Sequence, residues 1–138
     1  MAYDSNNIFA RILRGELPKA SVYEDDLTLA FLDIMPSVEG HTLVIPKEPA
    51  ENLFDLSVEG AHALIATTQK VARAIKKAYE APGIMLVQLN GSAAGQSVPH
   101  LHFHIMPRHD GLELRLHGRS LQDHETLEGI AARIRAAL

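Results

Sequence analysis

Residues 98–108 read VPHLHFHIMPR, with His100, His102 and His104 at every second position and Leu101, Phe103 and Ile105 in the gaps. An extended chain points residues i, i+2 and i+4 to one side. A strand here presents three imidazoles on one face and three apolar side chains on the other. A helix would bring His100 and His104 together but swing His102 away, and Pro99 and Pro107 bracket too short a run for one. The segment therefore calls for a β-sheet with one imidazole-lined face and one face turned to a core, and we expect a strand over 98–106.

The rest of the chain supplies partners for such a strand. "SNNIFARILRG" reads as a short helix capped by Ser5 or Asn6, with Ile8, Ile12 and Leu13 as its apolar stripe and Gly15 as its stop. "SVYE" and "TLAFLD" read as strands joined at Asp25-Asp26, and "HTLVIP" as a third strand ended by Pro46 and Pro49. From Ser57 to Glu80, Ala61, Leu64, Ile65, Thr68, Val71, Ala72, Ile75 and Tyr79 recur with helical period. Lys70, Arg73, Lys76 and Lys77 form the solvated face of that helix, and Pro82-Gly83 ends it. "IMLVQL" is a further strand, "NGSAAGQS" a loop in which Asn-Gly signals a hairpin turn, and the tail from about Ser120 a last helix. The expected fold class is α+β: a mostly antiparallel sheet of about five strands with flanking helices, spanning 1–138 as one domain.

Composition narrows the function. No apolar run approaches the roughly 18 residues of a membrane span, and the first residues lack the basic and apolar regions of a secretory signal. A cytoplasmic location and no membrane partner are expected. The chain has no cysteine, which excludes disulfides and thiolate metal sites. A net charge of −4 argues against a broad grip on nucleic acid. A small phosphate-bearing ligand remains compatible, because a few donors in one pocket suffice.

Same-face histidines in a strand sit about 6.6 Å apart, at ~3.3 Å per residue. Two imidazolium ions at that distance repel by about 2.5 kcal/mol at an effective dielectric near ~20, which is close to ~2 pKa units. At least one ring should be neutral at pH 7. A neutral imidazole can ligate a metal, act as nucleophile or base, or be merely structural, and spacing alone leaves these open. The adjoining loop tilts the balance. Asn90, Gln96 and Ser97 are neutral donors, and a Gly/Ala/Ser turn can aim backbone N–H groups at an anion. This suits phosphoryl or nucleotidyl transfer better than a divalent metal, for which carboxylates would be expected. A second fragment, "AFLDIMPSVEGHTLVIPK", places Asp33 at the end of one strand and His41 at the start of the next.

These motifs together resemble the histidine-triad (HIT) family. "HLHFHI" fits its alternating pattern, "NIFARILRGELPKASVYEDDLTLAFLDIMPSVEGHTLVIPK" is similar to the N-terminal half of the Hint branch, and "NGSAAGQSVPHLHFHIMPR" to its active-site segment. The resemblance implies a hydrolase or transferase acting on the α-phosphate of a nucleoside phosphate, with no cofactor and no catalytic metal. It implies that His102 is the nucleophile and forms a nucleotidyl-histidine. His100 orients it through its backbone carbonyl, His104 serves phosphate oxygen or leaving group, and His41 supports the cluster. It assigns Gln96, Ser97 and Asn90 to phosphate, Asp33 to the ribose hydroxyls, and Ile8, Phe9, Phe31, Ile34 and Leu43 to the nucleobase; for these five apolar residues the alternative is plain core.

Two departures stand out. Many Hint-like chains carry asparagine where this one has Leu89, so Asn90 would have to substitute. Some bacterial relatives carry a Cys-x-x-Cys zinc pair where this chain has Asn7 and Ala10, which implies that this structural zinc is absent. The implied substrate is an adenosine monophosphoramidate-type purine nucleotide (AMP or GMP type), and the implied assembly a homodimer with a continuous sheet. A dinucleoside polyphosphate hydrolase would use the same residues. A nucleotide-binding regulatory module with little turnover, or a metalloenzyme using the triad as ligands, are the readings from other classes.

Overall fold

The computed structural model describes residues 2–112, 117–118 and 120–138. Five strands, β1 (Ser21–Glu24), β2 (Thr28–Leu32), β3 (Thr42–Pro46), β4 (Gly83–Gln88) and β5 (Phe103–Arg108), form one sheet in the order β1-β2-β3-β5-β4. Every pairing is antiparallel. The helices are α1 (Ile8–Leu13), α2 (Val58–Tyr79) and α3 (His124–Arg135). Among the described residues, no helix is long and apolar enough to cross a membrane. The α+β class with a five-stranded antiparallel sheet and flanking helices is as the sequence predicts.

Register sorts the sheet into two faces, because directly opposed residues point the same way. Phe31 pairs with Leu43 and Leu43 with His104, so all three share a face. Leu32 pairs with Thr42 and Thr42 with Ile105, and these share the other. On that second face α2 and α3 close a core of Ala30, Leu32, Val44 and Ile105 against Leu64, Val71, Ile75, Leu127, Ala131 and Ile134. On the first, Phe9 and Ile12 of the six-residue α1 cover Leu29, Phe31, Leu43 and Ile45. The histidines lie beside this smaller cluster.

Helix α2 begins on Ser57, whose hydroxyl accepts from the Gly60 N–H, and ends on Glu80 in the left-handed region at φ 46°. Ile65, expected on its buried side, is half exposed.

Four expectations need correction. The cap of α1 is Asn7, not Ser5 or Asn6: its Oδ1 accepts from the Ala10 N–H at 2.9 Å. Helix α3 starts at His124 behind the cap Asp123, not near Ser120. Asn90-Gly91 does not make a tight hairpin: β4 and β5 are joined by a long excursion through a 3₁₀ turn at Ser92–Ala94. Strand β5 begins at Phe103, so His100 and His102 precede it. The ladder with β3 stops at Val44 opposite Phe103, short of Pro46, which has no N–H to extend it. The backbone of Leu101 donates instead to the Ala50 carbonyl at 2.9 Å.

Candidate functional site

His41, His100, His102 and His104 are all buried, at 1%, 0%, 4% and 3% exposure. Burial disfavours the charged imidazole and is the leading cause of every shift here. It holds His41 and His100 at about 4 and His104 at about 3, and it also lowers His102. Neighbouring histidines add repulsion at His41 and His104. The cluster is therefore neutral at pH 7, and each ring has one N–H and one bare nitrogen. Their neighbours decide which.

A carbonyl can only accept. The His100 carbonyl lies 2.7 Å from His102 Nδ1, so that nitrogen carries the proton and Nε2 is bare. The Pro46 carbonyl lies 2.8 Å from His100 Nε2, so His100 is protonated there and its Nδ1 accepts from the Tyr3 hydroxyl at 2.5 Å. The backbone N–H of Ser37 donates to His41 Nδ1 at 3.0 Å, which puts the His41 proton on Nε2. That N–H donates to His104 Nδ1 at 2.9 Å. His104 must then carry its proton on Nε2, a buried donor with no partner among the described residues. An orphaned buried donor costs about 1–3 kcal/mol, and such a group at a functional surface points to an absent acceptor.

The site thus offers a bare nitrogen on His102 beside an N–H on His104, with ring centroids 4.9 Å apart. Phe9 sets its ring edge-on to His102 at a centroid distance of 4.9 Å and also meets Phe31 at 5.4 Å. Asp33 reaches this group from the end of β2: its Oδ2 is 3.5 Å from His41 Nε2, and its Oδ1 accepts from the Met35 N–H at 2.9 Å. Burial raises the Asp33 carboxyl. Gly40, at φ +92°, turns the loop into His41; a Cβ there would stand 2.8 Å from the Tyr79 ring.

Asp33, His41 and His104 lie close enough to suggest a metal site. The tautomers oppose it. A neutral His41 whose Nδ1 accepts from Ser37 must hold a proton on Nε2, the nitrogen facing the other two side chains, and a protonated nitrogen is not a ligand. The triad is no better suited, since both nitrogens of His100 are engaged by Pro46 and Tyr3.

The loop residues are disposed differently. Gln96 accepts from the Gly91 N–H at 2.7 Å and donates to the Glu51 and Val98 carbonyls at 2.7 and 2.9 Å, so its amide shapes the loop. Asn90 exchanges two hydrogen bonds with Gln88 and accepts from the Leu53 N–H. Ser97 is exposed, and its hydroxyl has no partner among the described residues. Of the residues expected at a base pocket, Ile8 and Ile34 are exposed at 44% and 52%, whereas Phe9, Phe31 and Leu43 belong to the apolar cluster.

Two site residues escape the sequence reading. Tyr3 joins the cluster through His100. His117 sets its ring 6.0 Å from that of His104, edge-on. The one signal for His117 is the glycine after it. A Cβ on Gly118 would stand 2.2 Å from the Pro36 carbonyl oxygen, and the Gly118 N–H donates to the Met35 carbonyl, so only glycine docks this closely on the Met35–Pro36 backbone.

Comparison with known proteins finds relatives in both sequence and fold. Residues 14–111 match the family model of the HIT domain. The chain is 47% identical over 104 residues to the Bacillus subtilis Protein hit, covering 75% of this chain and 72% of that one. It is 42% identical over 101 residues to the Schizosaccharomyces pombe adenosine 5'-monophosphoramidase hnt1, covering 73% of each. The crystal structure of a Hit-like protein involved in cell-cycle regulation from Bartonella henselae, with an unknown ligand, aligns with a TM-score of 0.93 at 50% identity over 100% of both chains.

Proposed function

The chain belongs to the HIT-domain family, and on that premise we propose that its 138 residues form one nucleoside phosphoramidase unit acting on the α-phosphate of a purine nucleotide. The bare Nε2 of His102, held in aim by the His100 carbonyl and set beside the orphaned N–H of His104, carries this reading. A neutral imidazole nitrogen is a good nucleophile near pH 7, and a covalent intermediate divides one difficult displacement into two easier ones.

In the first step His102 Nε2 bonds to phosphorus and the P–N bond of the substrate breaks. The amine leaves with one proton drawn from solvent. In the second, water oxygen bonds to phosphorus, the histidine–phosphorus bond breaks, and one proton returns to solvent. The net reaction consumes one water. The Nδ1–H of His102 donates throughout to the His100 carbonyl, a bond that strengthens as the ring becomes cationic. His104 Nε2–H and the Ser97 hydroxyl donate to phosphate oxygens, where charge develops. Gln96 joins them by releasing Glu51 or Val98, and Asn90 by releasing Gln88. Asp33 accepts from the ribose hydroxyls. Ile8 and Ile34 form the exposed walls of a base pocket floored by Phe9, with Phe31 and Leu43 beneath.

The same site would serve a dinucleoside polyphosphate, so a substrate panel tests the assignment. Compared as kcat/KM, adenosine phosphoramidates should exceed dinucleoside polyphosphates by at least about tenfold, or roughly 1.4 kcal/mol. The reverse order would make the protein a polyphosphate hydrolase, and no turnover of either would make it a binding module.

We also propose a homodimer through β4. This strand is an edge of the sheet, and Leu86 and Ile65 beside it are exposed at 51% and 54% around an open cavity of about 420 Å³. An uncovered edge with an apolar flank invites a second copy. Leu86→Glu should convert a dimer to a monomer in sedimentation velocity; a monomeric wild-type protein would contradict the proposal.

A further inference from the structure

The nucleophile's aim rests on a carbonyl, and that carbonyl belongs to a residue whose ring is itself held at both ends. His100 is fully buried. Its Nε2–H donates to Pro46, and the peptide that follows it is fixed by the Leu101 N–H donating to Ala50. The remaining ring nitrogen, Nδ1, meets the Tyr3 hydroxyl at 2.5 Å, across ninety-seven positions of sequence. The phenol ring also stands edge-on to the imidazole at 5.7 Å.

We propose that Tyr3 is a positioning residue for the nucleophile: its hydroxyl fixes the ring of His100, whose carbonyl in turn fixes the ring of His102. The inference rests on His102 being the attacking group. Tyr3 donates one proton to the Nδ1 left bare by the Pro46 bond and thereby holds His100 in a single orientation. Without it, a buried acceptor is unpaired, and the ring is held by the Pro46 bond alone. Burial raises the Tyr3 hydroxyl, so it keeps its proton at neutral pH.

Asn7 extends the arrangement to the helix beside the nucleophile. Its Nδ2 donates to the Tyr3 hydroxyl at 2.8 Å and to the Asp4 carbonyl at 2.7 Å, while its Oδ1 caps α1. Helix α1 carries Phe9, whose ring meets His102. One side chain thus links Tyr3, which holds His100, to the helix that carries Phe9, and His102 meets both the His100 carbonyl and the Phe9 ring.

Tyr3→Phe removes the hydroxyl and keeps the ring. In the full chain, kcat for an adenosine phosphoramidate should fall about three- to thirtyfold, with KM within roughly twofold. Nitrogen-15 spectra of the ligand-free variant should show a shifted His100 Nδ1 signal, as that nitrogen loses its donor, and faster exchange of the His102 Nδ1 proton. Asn7→Asp keeps the cap but offers the Tyr3 hydroxyl a carboxylate, and should shift the same signals in the same direction. If Tyr3→Phe does not fold, Asn7→Asp decides. Unchanged histidine spectra and kcat, even with a lowered Tm, would make Tyr3 a structural anchor and overturn the proposal. A wild-type protein that turns over no phosphoramidate defeats the functional reading instead, while the spectra still decide the role of Tyr3.

Discussion

The two faces of this sheet solve the same problem of burial in opposite ways. Beneath α2 and α3, aliphatic side chains such as Leu64, Ile75, Ile105 and Ile134 are packed against one another, and any of them could move slightly without changing chemistry. On the α1 face, four imidazoles are buried almost as completely, yet each is fixed in one tautomer by one or two specific partners. Apolar packing asks for volume, whereas buried polar groups ask for a named donor or acceptor at each atom. The first face supplies stability and the second is where stability is given up for a poised nitrogen.

The sharpest way to break that contrast is His102→Ala. Turnover should fall on the order of 10⁴-fold or more, while nucleotide affinity by calorimetry stays within about tenfold. Acid comes next. His41, His100 and His104 have folded pKa values of about 4, 4 and 3, against 6.5 when free. Above pH 6.5 both folded and unfolded chains carry these rings neutral. As pH falls the unfolded chain takes up protons first, so stability is fully present above that point and is lost toward pH 4, by on the order of 10 kcal/mol. Urea unfolding at pH 8, 6 and 5 measures it, and a flat profile would show that the rings are not buried neutral. The mildest change is on the other face: Ile75→Ala should cost about 2–5 kcal/mol of stability and leave kcat/KM unchanged.

The same difference explains what was legible in the sequence. Period-3.6 spacing from Ala61 to Tyr79 identifies α2, and alternation identifies the histidine face, because both patterns are repeated statements of which side is buried. The start of β5 was not legible, since it depends on Pro46, far away in sequence, having no N–H to pair. Asn7 as cap and Tyr3 as donor were missed for a related reason: each makes one contact with a remote residue and leaves no periodic trace. His117 likewise announces itself only through the tight seat of Gly118. The loop was legible as a loop, but not that Gln96 and Asn90 spend their amides inside it.

The most direct test of the central claim is to quench the protein during turnover of a radiolabelled adenosine phosphoramidate and map the label. One nucleotidyl group per active chain is expected on His102, absent from His102→Ala and discharged by water on standing. Steady turnover with no label on His102, or with label on another residue, would contradict it.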